Sequence, residues 1–191
     1  MINIILFGKP GAGKGTQAEF LKKRFNLIHI STGEIFRNNI KNETKLGVLA
    51  KSYMDNGDLV PDNVTIQMLK SEVKKSKNIN GFIFDGFPRT ISQAEVLDSF
   101  LESIKMEITA TISLEVKETV LEERLINRGK LSGRSDDQDI DKIKNRFKEY
   151  NIKTSPLKNY YKSKNKLYAV SGIGSIDQIK NRLIDLMNQI K

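Results

Sequence analysis

The segment INIILFGKPGAGKGT, residues 2–16, decides the fold of this chain. Ile2–Phe7 is apolar at nearly every position, as expected of a strand buried on both faces of a parallel sheet. Gly8–Thr16 follows, and a helical pattern begins directly after it. Glycines allow a tight turn that brings backbone N–H groups against phosphate oxygens, and the helix N-terminus adds partial positive charge. The segment therefore predicts a loop that binds the phosphates of a nucleoside triphosphate, with Lys14 as its cation.

One position of this loop departs from the general phosphate-loop pattern. Ser or Thr ordinarily follows the loop lysine directly, whereas Gly15 stands between Lys14 and Thr16 here. Switch GTPases keep the direct order and carry a guanine-reading Asn-Lys-x-Asp motif, which this sequence lacks. A non-catalytic P-loop protein that binds nucleotide as a switch or assembly signal therefore stays as a second hypothesis behind an enzyme.

The rest of the chain alternates β-rich and helical segments. Four further strands are predicted, over Leu27–Ser31, Phe82–Asp85, Ala110–Val116 and Lys166–Ser171. Helical spacing of apolar residues predicts helices over Gly15–Phe25, Asp62–Lys77, Ile91–Ile104, Lys117–Arg128, Asp139–Lys164 and Ser175–Ile190. This alternation predicts an α/β fold with a five-stranded parallel sheet flanked by helices.

Two segments do not fit the alternation. Residues 31–60 form a long, mostly helical excursion, and residues 127–137 form a polar stretch that contains RGKLSGRSDD. We expect both to be peripheral elements that move. The remaining ranges, 1–30, 61–126 and 138–191, are expected to form one core, because 191 residues are enough for a single compact domain.

Composition argues against several classes of function. The sequence has no cysteine and one histidine, so we expect no zinc, and His29 is interpreted as an ordinary polar residue of a short strand. The longest apolar run, Ile4–Phe7, is too short to cross a membrane, and no leader pattern precedes it, so we expect a cytoplasmic protein. A net charge of +9 raises nucleic-acid binding as a third hypothesis. Because the lysines are spread along the chain and stacking aromatics are few, we expect neither a nucleic-acid nor a membrane partner.

Further motifs follow the loop in a fixed order. They are ISTGEIFR at 30–37, LVPD at 59–62, FDGFPRTISQA at 84–94, SGRSDD at 132–137 and Gly174-Ser175. Together with GKPGAGKGT, they resemble the adenylate kinases with a short lid, a group of nucleoside monophosphate kinases, over essentially the whole chain. The resemblance implies a P-loop kinase core, a helical NMP-binding arm at 31–60 and a short lid at 127–137.

The resemblance also implies an activity and the residues that perform it. The reaction is reversible transfer of the terminal phosphoryl group from Mg-ATP to AMP, giving two ADP, in adenine nucleotide homeostasis and purine salvage. Such transfer depends on positioning and charge neutralisation, for which arginine is well suited. The residues implied for catalysis are Lys14, Asp85, Arg89, Arg124, Arg134 and Arg146. Those implied for ATP are Gly11, Ala12, Gly13, Lys14, Gly15, Thr16, Arg128 and Gly174. Those implied for AMP are Thr32, Arg37, Asp58, Leu59, Val60, Gly86, Phe87, Pro88, Arg89, Gln93, Arg134 and Arg146.

Three further expectations concern the cofactor, the acceptor and assembly. Asp85 is similar to the acid that holds Mg²⁺ through water, and Mg²⁺ with ATP is the only cofactor implied. Relatives that act on UMP and CMP tend to carry Ala at the position of Thr32 and Asn at that of Thr90, so AMP is favoured and a UMP/CMP-type kinase is the alternative. The amide of Gln93 can read adenine with both a donor and an acceptor. A monomer is expected.

Two departures from the family pattern accompany these expectations. Lys9 stands where many members carry a small residue, and its charge either lies near the phosphates or faces solvent. The stretch from Arg134 to Arg146 is one residue longer than in relatives with a short lid. Closure of the lid over the substrates is a known property of adenylate kinases, and we expect arm and lid to exclude water in this way.

Overall fold

A parallel β-sheet forms the centre of the computed structural model, which describes residues 1–76 and 80–190. Its strands are β1 (Ile4–Phe7), β2 (Ile28–Ser31), β3 (Phe82–Asp85), β4 (Ala110–Glu115) and β5 (Leu167–Ser171). They are arranged in the order β2-β3-β1-β4-β5, and every neighbouring pair is parallel. The predicted α/β fold with a five-stranded parallel sheet is confirmed.

Helices cover both faces of the sheet. They are α1 (Lys14–Phe25), α2 (Thr32–Lys41), α3 (Lys45–Met54), α4 (Asp62–Lys75), α5 (Ile91–Ser103), α6 (Glu118–Ser132), α7 (Ile140–Glu149), α8 (Leu157–Ser163) and α9 (Ile176–Gln189). A 3₁₀ turn at Ser135–Asp137 precedes α7, and a π-helical turn at Tyr150–Thr154 follows it. Across the described ranges, no helix is both long and apolar enough to span a membrane.

Burial on both faces explains why β1 is so apolar. Ile4 and Leu6 pack in a cluster that includes residues of α1, α6 and α9, whereas Ile5 and Phe7 pack in a cluster with α4, α5 and α8. All four side chains are buried. Because successive side chains of a strand point to opposite faces, only a continuous apolar run fits such a position.

The strand order determines where a ligand can enter. β1 lies between β3 and β4, and the chain crosses from β3 to β4 over this central strand. The connections that follow β1 and β3 therefore lead in opposite directions along the sheet. A crevice is left between them at the carboxyl ends of these strands. The phosphate loop follows Phe7 at that edge, and Asp85 is the last residue of β3 at the same edge.

Residues 31–60 contain α2 and α3, which lie outside the sheet. Ser31 begins this segment as the N-cap of α2, and its hydroxyl accepts a hydrogen bond from the Glu34 amide. Phe36 and Ala50 pack with Val60 in a small apolar cluster separate from the two clusters of the sheet. Met68 of α4 completes the cluster, so the segment shares its apolar centre with that helix.

The structure differs from the sequence prediction at several helix boundaries. The helix predicted to end at Arg128 continues to Ser132, and Gly133 ends it in a left-handed conformation, with φ of 67°. The first half of the predicted lid is therefore helical. The helix predicted over Asp139–Lys164 is interrupted by the π-helical turn, in which the Ser155 amide donates to the Tyr150 carbonyl at 2.7 Å. Pro156 follows and lacks the N–H that a continuous helix needs. The predicted end of α4, Lys77, lies outside the described residues.

Candidate functional site

A cavity of about 1070 Å³ opens at the carboxyl edge of the sheet. Its walls come from the phosphate loop, from the segment 31–60, from the loop that follows β3, and from α6, α7 and the start of α9. All six arginines predicted to contact phosphates line it, namely Arg37, Arg89, Arg124, Arg128, Arg134 and Arg146. Lys14 and Asp85 also line it.

The phosphate loop has the conformation that its glycines predict. Gly8, Gly11 and Gly13 have φ of 142°, 85° and 91°, values that side chains with a Cβ rarely adopt. Lys14 begins α1 and donates hydrogen bonds to the Gly8 carbonyl at 2.7 Å and to the Lys9 carbonyl at 3.2 Å. Two loop carbonyls thus hold the ammonium at the base of the cavity.

Burial affects the charge of Lys14. Burial lowers the pKa of this lysine most, Asp85 opposes it, and the charges of Arg89, Arg128 and Arg146 add to the lowering, so that the pKa falls to about 8. The ammonium is therefore poorly compensated in this site. An anionic ligand such as a polyphosphate would supply the missing negative charge.

Asp85 is part of a charged row that the sequence did not predict. His29 Nε2 lies 3.3 Å from Asp85 Oδ2, and His29 Nδ1 lies 3.2 Å from Glu19 Oε1. Burial tends to lower the pKa of His29, but its hydrogen bonds and the two carboxylates outweigh burial and raise it. Burial tends to raise the pKa of Asp85, and the hydrogen bond to His29 and the charge of Lys14 outweigh that effect and lower it. Asp85 therefore stays ionised beside the loop.

Arg89 is held by the loop that follows β3. Its Nε donates to the Gly86 carbonyl at 2.8 Å, which fixes the guanidinium over the start of the loop that follows β3. Burial lowers the pKa of Arg89 to about 10, with Arg146 contributing and Asp85 opposing. The guanidinium remains a cation at neutral pH.

The other arginines are held by carboxylates or carbonyls around the cavity. Arg37 and Arg134 both donate to Glu34 Oε1, each at 2.6 Å. Arg124 Nη2 donates to the Gly172 carbonyl at 3.2 Å.

Asp137, the last residue of the predicted lid, holds two more arginines. Arg128 contacts both of its carboxylate oxygens, at 2.6 and 3.0 Å, and Arg146 contacts Oδ1 at 2.6 Å. The extra residue predicted between Arg134 and Arg146 does not displace Arg146 from the cavity wall. Sequence reasoning missed Glu34 and Asp137, since a carboxylate inside a motif carries no sign of which arginine it contacts.

Several residues predicted for the monophosphate lie behind the cavity wall. Gly86, Phe87, Pro88 and Leu59 line the cavity, whereas Thr32, Val60 and Gln93 are buried and Asp58 contacts α7. The hydroxyl of Thr32 donates to the Gly86 carbonyl at 2.9 Å.

Gln93 makes two hydrogen bonds behind this wall. Its Oε1 accepts from the Arg89 amide and its Nε2 donates to Asp62, both at 2.7 Å. Asp62 was not among the predicted site residues.

Most of the residues predicted for the triphosphate line the same cavity. Gly11, Gly13, Gly15 and Thr16 line it, and Ala12 is buried beneath them. Gly174 lines it as well, just before the capping box that begins α9 at Ser175.

The residues around Asp85 fit a magnesium ion that arrives with a nucleotide. Mg²⁺ is usually held by one or two carboxylates together with phosphates and water, and Asp85 supplies a carboxylate beside the phosphate loop. Thr16 adds a hydroxyl to the same wall. In the described part of the chain, no group of three or more His, Asp and Glu side chains is arranged to hold a metal.

A phosphate loop, an acid at the end of the neighbouring strand and six arginines on one cavity define a P-loop kinase of small phosphorylated substrates.

Comparison with known proteins identifies the family within this class. The family model for adenylate kinase matches residues 6–166, and the chain belongs to the adenylate kinase family. It is 63% identical over 190 residues to an adenylate kinase of Flavobacterium psychrophilum, with 100% of both chains covered. It is 60% identical over 190 residues to that of Flavobacterium johnsoniae and 44% identical over 191 residues to that of Parabacteroides distasonis, again with 100% of each chain covered. The predicted family and the predicted class of enzyme are confirmed.

Proposed function

We propose that this chain catalyses reversible transfer of the terminal phosphoryl group from Mg-ATP to AMP, giving two ADP. The observation that carries the proposal is the convergence of six arginines and Lys14 on one cavity beside a phosphate loop. A site for one nucleotide would not need this many cations around a single cavity. Phosphates of two nucleotides, placed end to end, would neutralise them.

The triphosphate is proposed to lie on the phosphate loop. The loop N–H groups of residues 11–16 and the N-terminus of α1 would bind its β and γ phosphates together with Lys14. Arg128 would close over it from α6, and the backbone at Gly174 would border its base. Arg124, one turn before Arg128, would lie against the phosphoryl group during transfer.

The monophosphate is proposed to lie against the segment 31–60. Arg37 and Arg89 would bind its phosphate, and Arg134 of the lid and Arg146 of α7 would join them, since forked guanidinium groups suit phosphate oxygens. The base would meet the backbone at 58–60. Thr32 and Gln93 would then have to be uncovered, because both are buried behind the wall.

Magnesium is proposed as the cofactor, held through water by Asp85. When bound, it would neutralise charge on the transferred phosphates. The roles of Lys14 and the arginines do not depend on the details of that coordination.

Contacts across the cavity support a role for closure. Arg134 meets Glu34, and Ser135 Oγ lies 3.2 Å from Asp55 Oδ1, so the lid contacts the segment 31–60. A closed cavity excludes water, which would otherwise compete with AMP as acceptor. We propose that these contacts open to admit nucleotides and reform around them.

A coupled assay for ADP formation tests the proposal. Mg-ATP is supplied with AMP, UMP, CMP, GMP or no acceptor, and Lys14→Met and Arg89→Ala are measured beside the wild type. Turnover confined to AMP is expected, with losses of at least about 100-fold in both variants. Arg24→Ala, which removes an exposed arginine of α1, is the control and should retain activity.

The outcomes separate the alternatives. Turnover with UMP or CMP would show that the acceptor is not AMP and would favour the UMP/CMP-type kinase. Tight binding of ATP without transfer to any monophosphate would contradict a kinase and favour a non-catalytic nucleotide-binding protein. We also propose a monomer that acts in the cytoplasm, which sedimentation and cell fractionation would test.

A further inference from the structure

Lys9 has a specific partner outside the cavity. Its ammonium pairs with Glu118 Oε1, on the first residue of α6, and lies 5.9 Å from the centre of the Tyr150 ring. Lys9 is not among the residues that line the cavity. The hydrogen bond from Lys9 lowers the pKa of Glu118, so the two groups are oppositely charged at neutral pH. The charge of Lys9 is therefore directed at α6.

The backbone of the same residue supports the interior of the loop. The Lys9 carbonyl accepts a hydrogen bond from the Ala12 amide at 3.1 Å and from Lys14 Nζ at 3.2 Å. A displacement of Lys9 would therefore displace both the turn of the loop and the resting position of its cation. The side chain of Lys9 contacts α6 and its carbonyl contacts Lys14, so this one residue connects the helix to the cation of the loop.

A second contact attaches the loop to α6 nearby. A Cβ on Gly11 would lie 3.1 Å from the Leu121 carbonyl oxygen and 3.1 Å from Leu125 Cγ, so the loop backbone approaches α6 closely. Glu118, Leu121 and Leu125 are spaced by three and four residues, which places them on one face of the helix. The loop is thus docked along two turns of α6, by an apolar contact at Gly11 and an ion pair at Lys9.

The same helix carries two of the arginines of the cavity. Arg124 and Arg128 line the cavity one turn apart, on the face next to the docking face. The docking of the loop on α6 therefore determines how far the loop lies from these guanidinium groups. The apolar contact acts at Gly11, whereas the ion pair attaches the loop to α6 at Lys9, two residues earlier.

We propose that Lys9 is a positioning residue, which docks the phosphate loop onto α6 through Glu118 and so holds bound phosphates in register with Arg124 and Arg128. The inference rests on the proposed function to the extent that a nucleotide polyphosphate occupies the loop. It does not depend on which monophosphate accepts the phosphoryl group. A charge that only attracted phosphate would need no partner on α6.

A charge-reversal experiment tests this docking. Wild type, Lys9→Met, Glu118→Gln and the double variant Lys9→Glu/Glu118→Lys are compared for calorimetric binding of Mg-ATP and for the KM of ATP and AMP. We expect each single variant to weaken ATP binding by about fivefold, the effect of one partly exposed ion pair. The KM for AMP should stay within about twofold, and the double variant should recover most of the lost affinity.

Lys166→Met is the matched control. Lys166 forms an ion pair with Glu107 at 2.7 Å, and its side chain is 27% exposed, against 23% for Lys9. It stands directly before β5, at the amino end of that strand and away from the cavity. ATP binding by this variant should equal that of the wild type. Thermal unfolding of every variant verifies that it is folded.

Three results would overturn the inference. They are wild-type affinity in both single variants, loss in Lys9→Met without loss in Glu118→Gln, and no recovery in the double variant. The second would mean that Lys9 acts on phosphate directly. Failure of the proposed function is seen separately, as absence of transfer to AMP by the wild type, while calorimetry still reports whether docking affects ATP binding.

Discussion

Arg134 Nη2 lies 2.6 Å from Glu34 Oε1, although 100 residues separate the two in the chain. Arg37 donates to the same oxygen at the same distance. Burial tends to raise the pKa of Glu34, but the hydrogen bonds and charges of these arginines outweigh it and lower that pKa. A single carboxylate thus contacts two arginines that we propose bind phosphate, and it joins the predicted lid to the segment 31–60.

Glu34→Gln should loosen this junction in the nucleotide-free protein. The neutral amide keeps the size of the side chain but loses its attraction for Arg37 and Arg134. We expect amide hydrogen exchange in residues 34–41 and 134–137 to accelerate by about twofold to fivefold, as suits one partly exposed ion-pair network. A bisubstrate analogue should remove the difference, because its phosphates replace the carboxylate. Glu72→Gln, which breaks only an ion pair with Lys75 inside α4, is the control. Equal exchange in wild type and Glu34→Gln would contradict the prediction.

Local patterns predicted much of the fold, because they reflect local physics. The loop after β1 was identified from its glycines and Lys14, since tight turns and helix starts depend on neighbouring residues. Strand β3 was predicted with its bounds unchanged, because burial on both faces leaves a short apolar run. The end of α6 was predicted too early, since residues 129–132 lack an apolar pattern and Gly133 sets the boundary through its backbone conformation.

Contacts between distant residues explain what the sequence did not reveal. In the sequence, His29 is indistinguishable from an ordinary strand residue. In the folded chain it lies between Glu19 and Asp85. Lys9 and Glu118 are 109 residues apart, and nothing in either local pattern indicates the other. The arginines of the cavity were found through the resemblance to the family, whereas the carboxylates that hold them in this structure were not.

Binding of ATP should take up protons at alkaline pH through Lys14. In the nucleotide-free protein the pKa of this lysine is about 8, because burial disfavours its charged form. Bound phosphates should raise it towards its ordinary value of 10.5, so protons are taken up between these two pKa values and not below them. Calorimetry in buffers of different ionisation enthalpy should give about three-quarters of a proton at pH 8.5 and almost none at pH 6.5.

Lys14→Arg provides the control for this proton uptake. Its guanidinium stays charged across the whole range, so the uptake at pH 8.5 should disappear even if binding is weaker. Uptake of the same size in this variant would assign the proton to another group and contradict the prediction.

Asp137 should stabilise the folded chain in a pH-dependent way. Its side chain is fully buried against Arg128 and Arg146. Burial tends to raise its pKa, and the hydrogen bonds and charges of the two arginines outweigh burial and lower it below the ordinary 3.8. Since the native pKa is the lower one, the stabilisation is complete above about pH 4 to 5 and is lost as the pH falls through the native pKa.

Asp137→Asn removes this titration and can be compared with the wild type in urea unfolding. We expect the variant to lose about 1–3 kcal/mol of unfolding free energy at pH 7, because two guanidinium groups lose a buried acceptor. The difference should shrink between pH 5 and pH 3. Asp141→Asn, at an exposed position of α7, should change stability by less than about 0.5 kcal/mol. A difference that stays constant over this pH range would show that the charge of Asp137 is not responsible.

The orientation of the Gln93 amide is determined by its two partners. The Arg89 amide can only donate, so Oε1 of Gln93 accepts from it, and Asp62 Oδ1 accepts from Nε2. Thr90 holds that carboxylate in place with a hydrogen bond of 2.7 Å to its other oxygen. A reversed amide would set donor against donor and acceptor against acceptor. One lone pair of Gln93 Oε1 can therefore still accept a hydrogen bond, and one N–H of Nε2 can still donate one.

These remaining positions match adenine and not hypoxanthine. Adenine offers an N6–H donor for Oε1 and an N1 acceptor for Nε2, whereas hypoxanthine presents an O6 acceptor and an N1–H donor, the reverse pattern. Asp62→Asn can donate to Gln93 as well as accept, which lowers the cost of reversing the amide. If Gln93 reads the base through these two positions, kcat/KM for AMP relative to IMP should fall by at least about tenfold in this variant. A purely structural role for Asp62 would lower both values alike and leave their ratio unchanged. Asp98→Asn, which alters a carboxylate bound to Tyr160 on α8, is the control and should leave both values at the wild-type level.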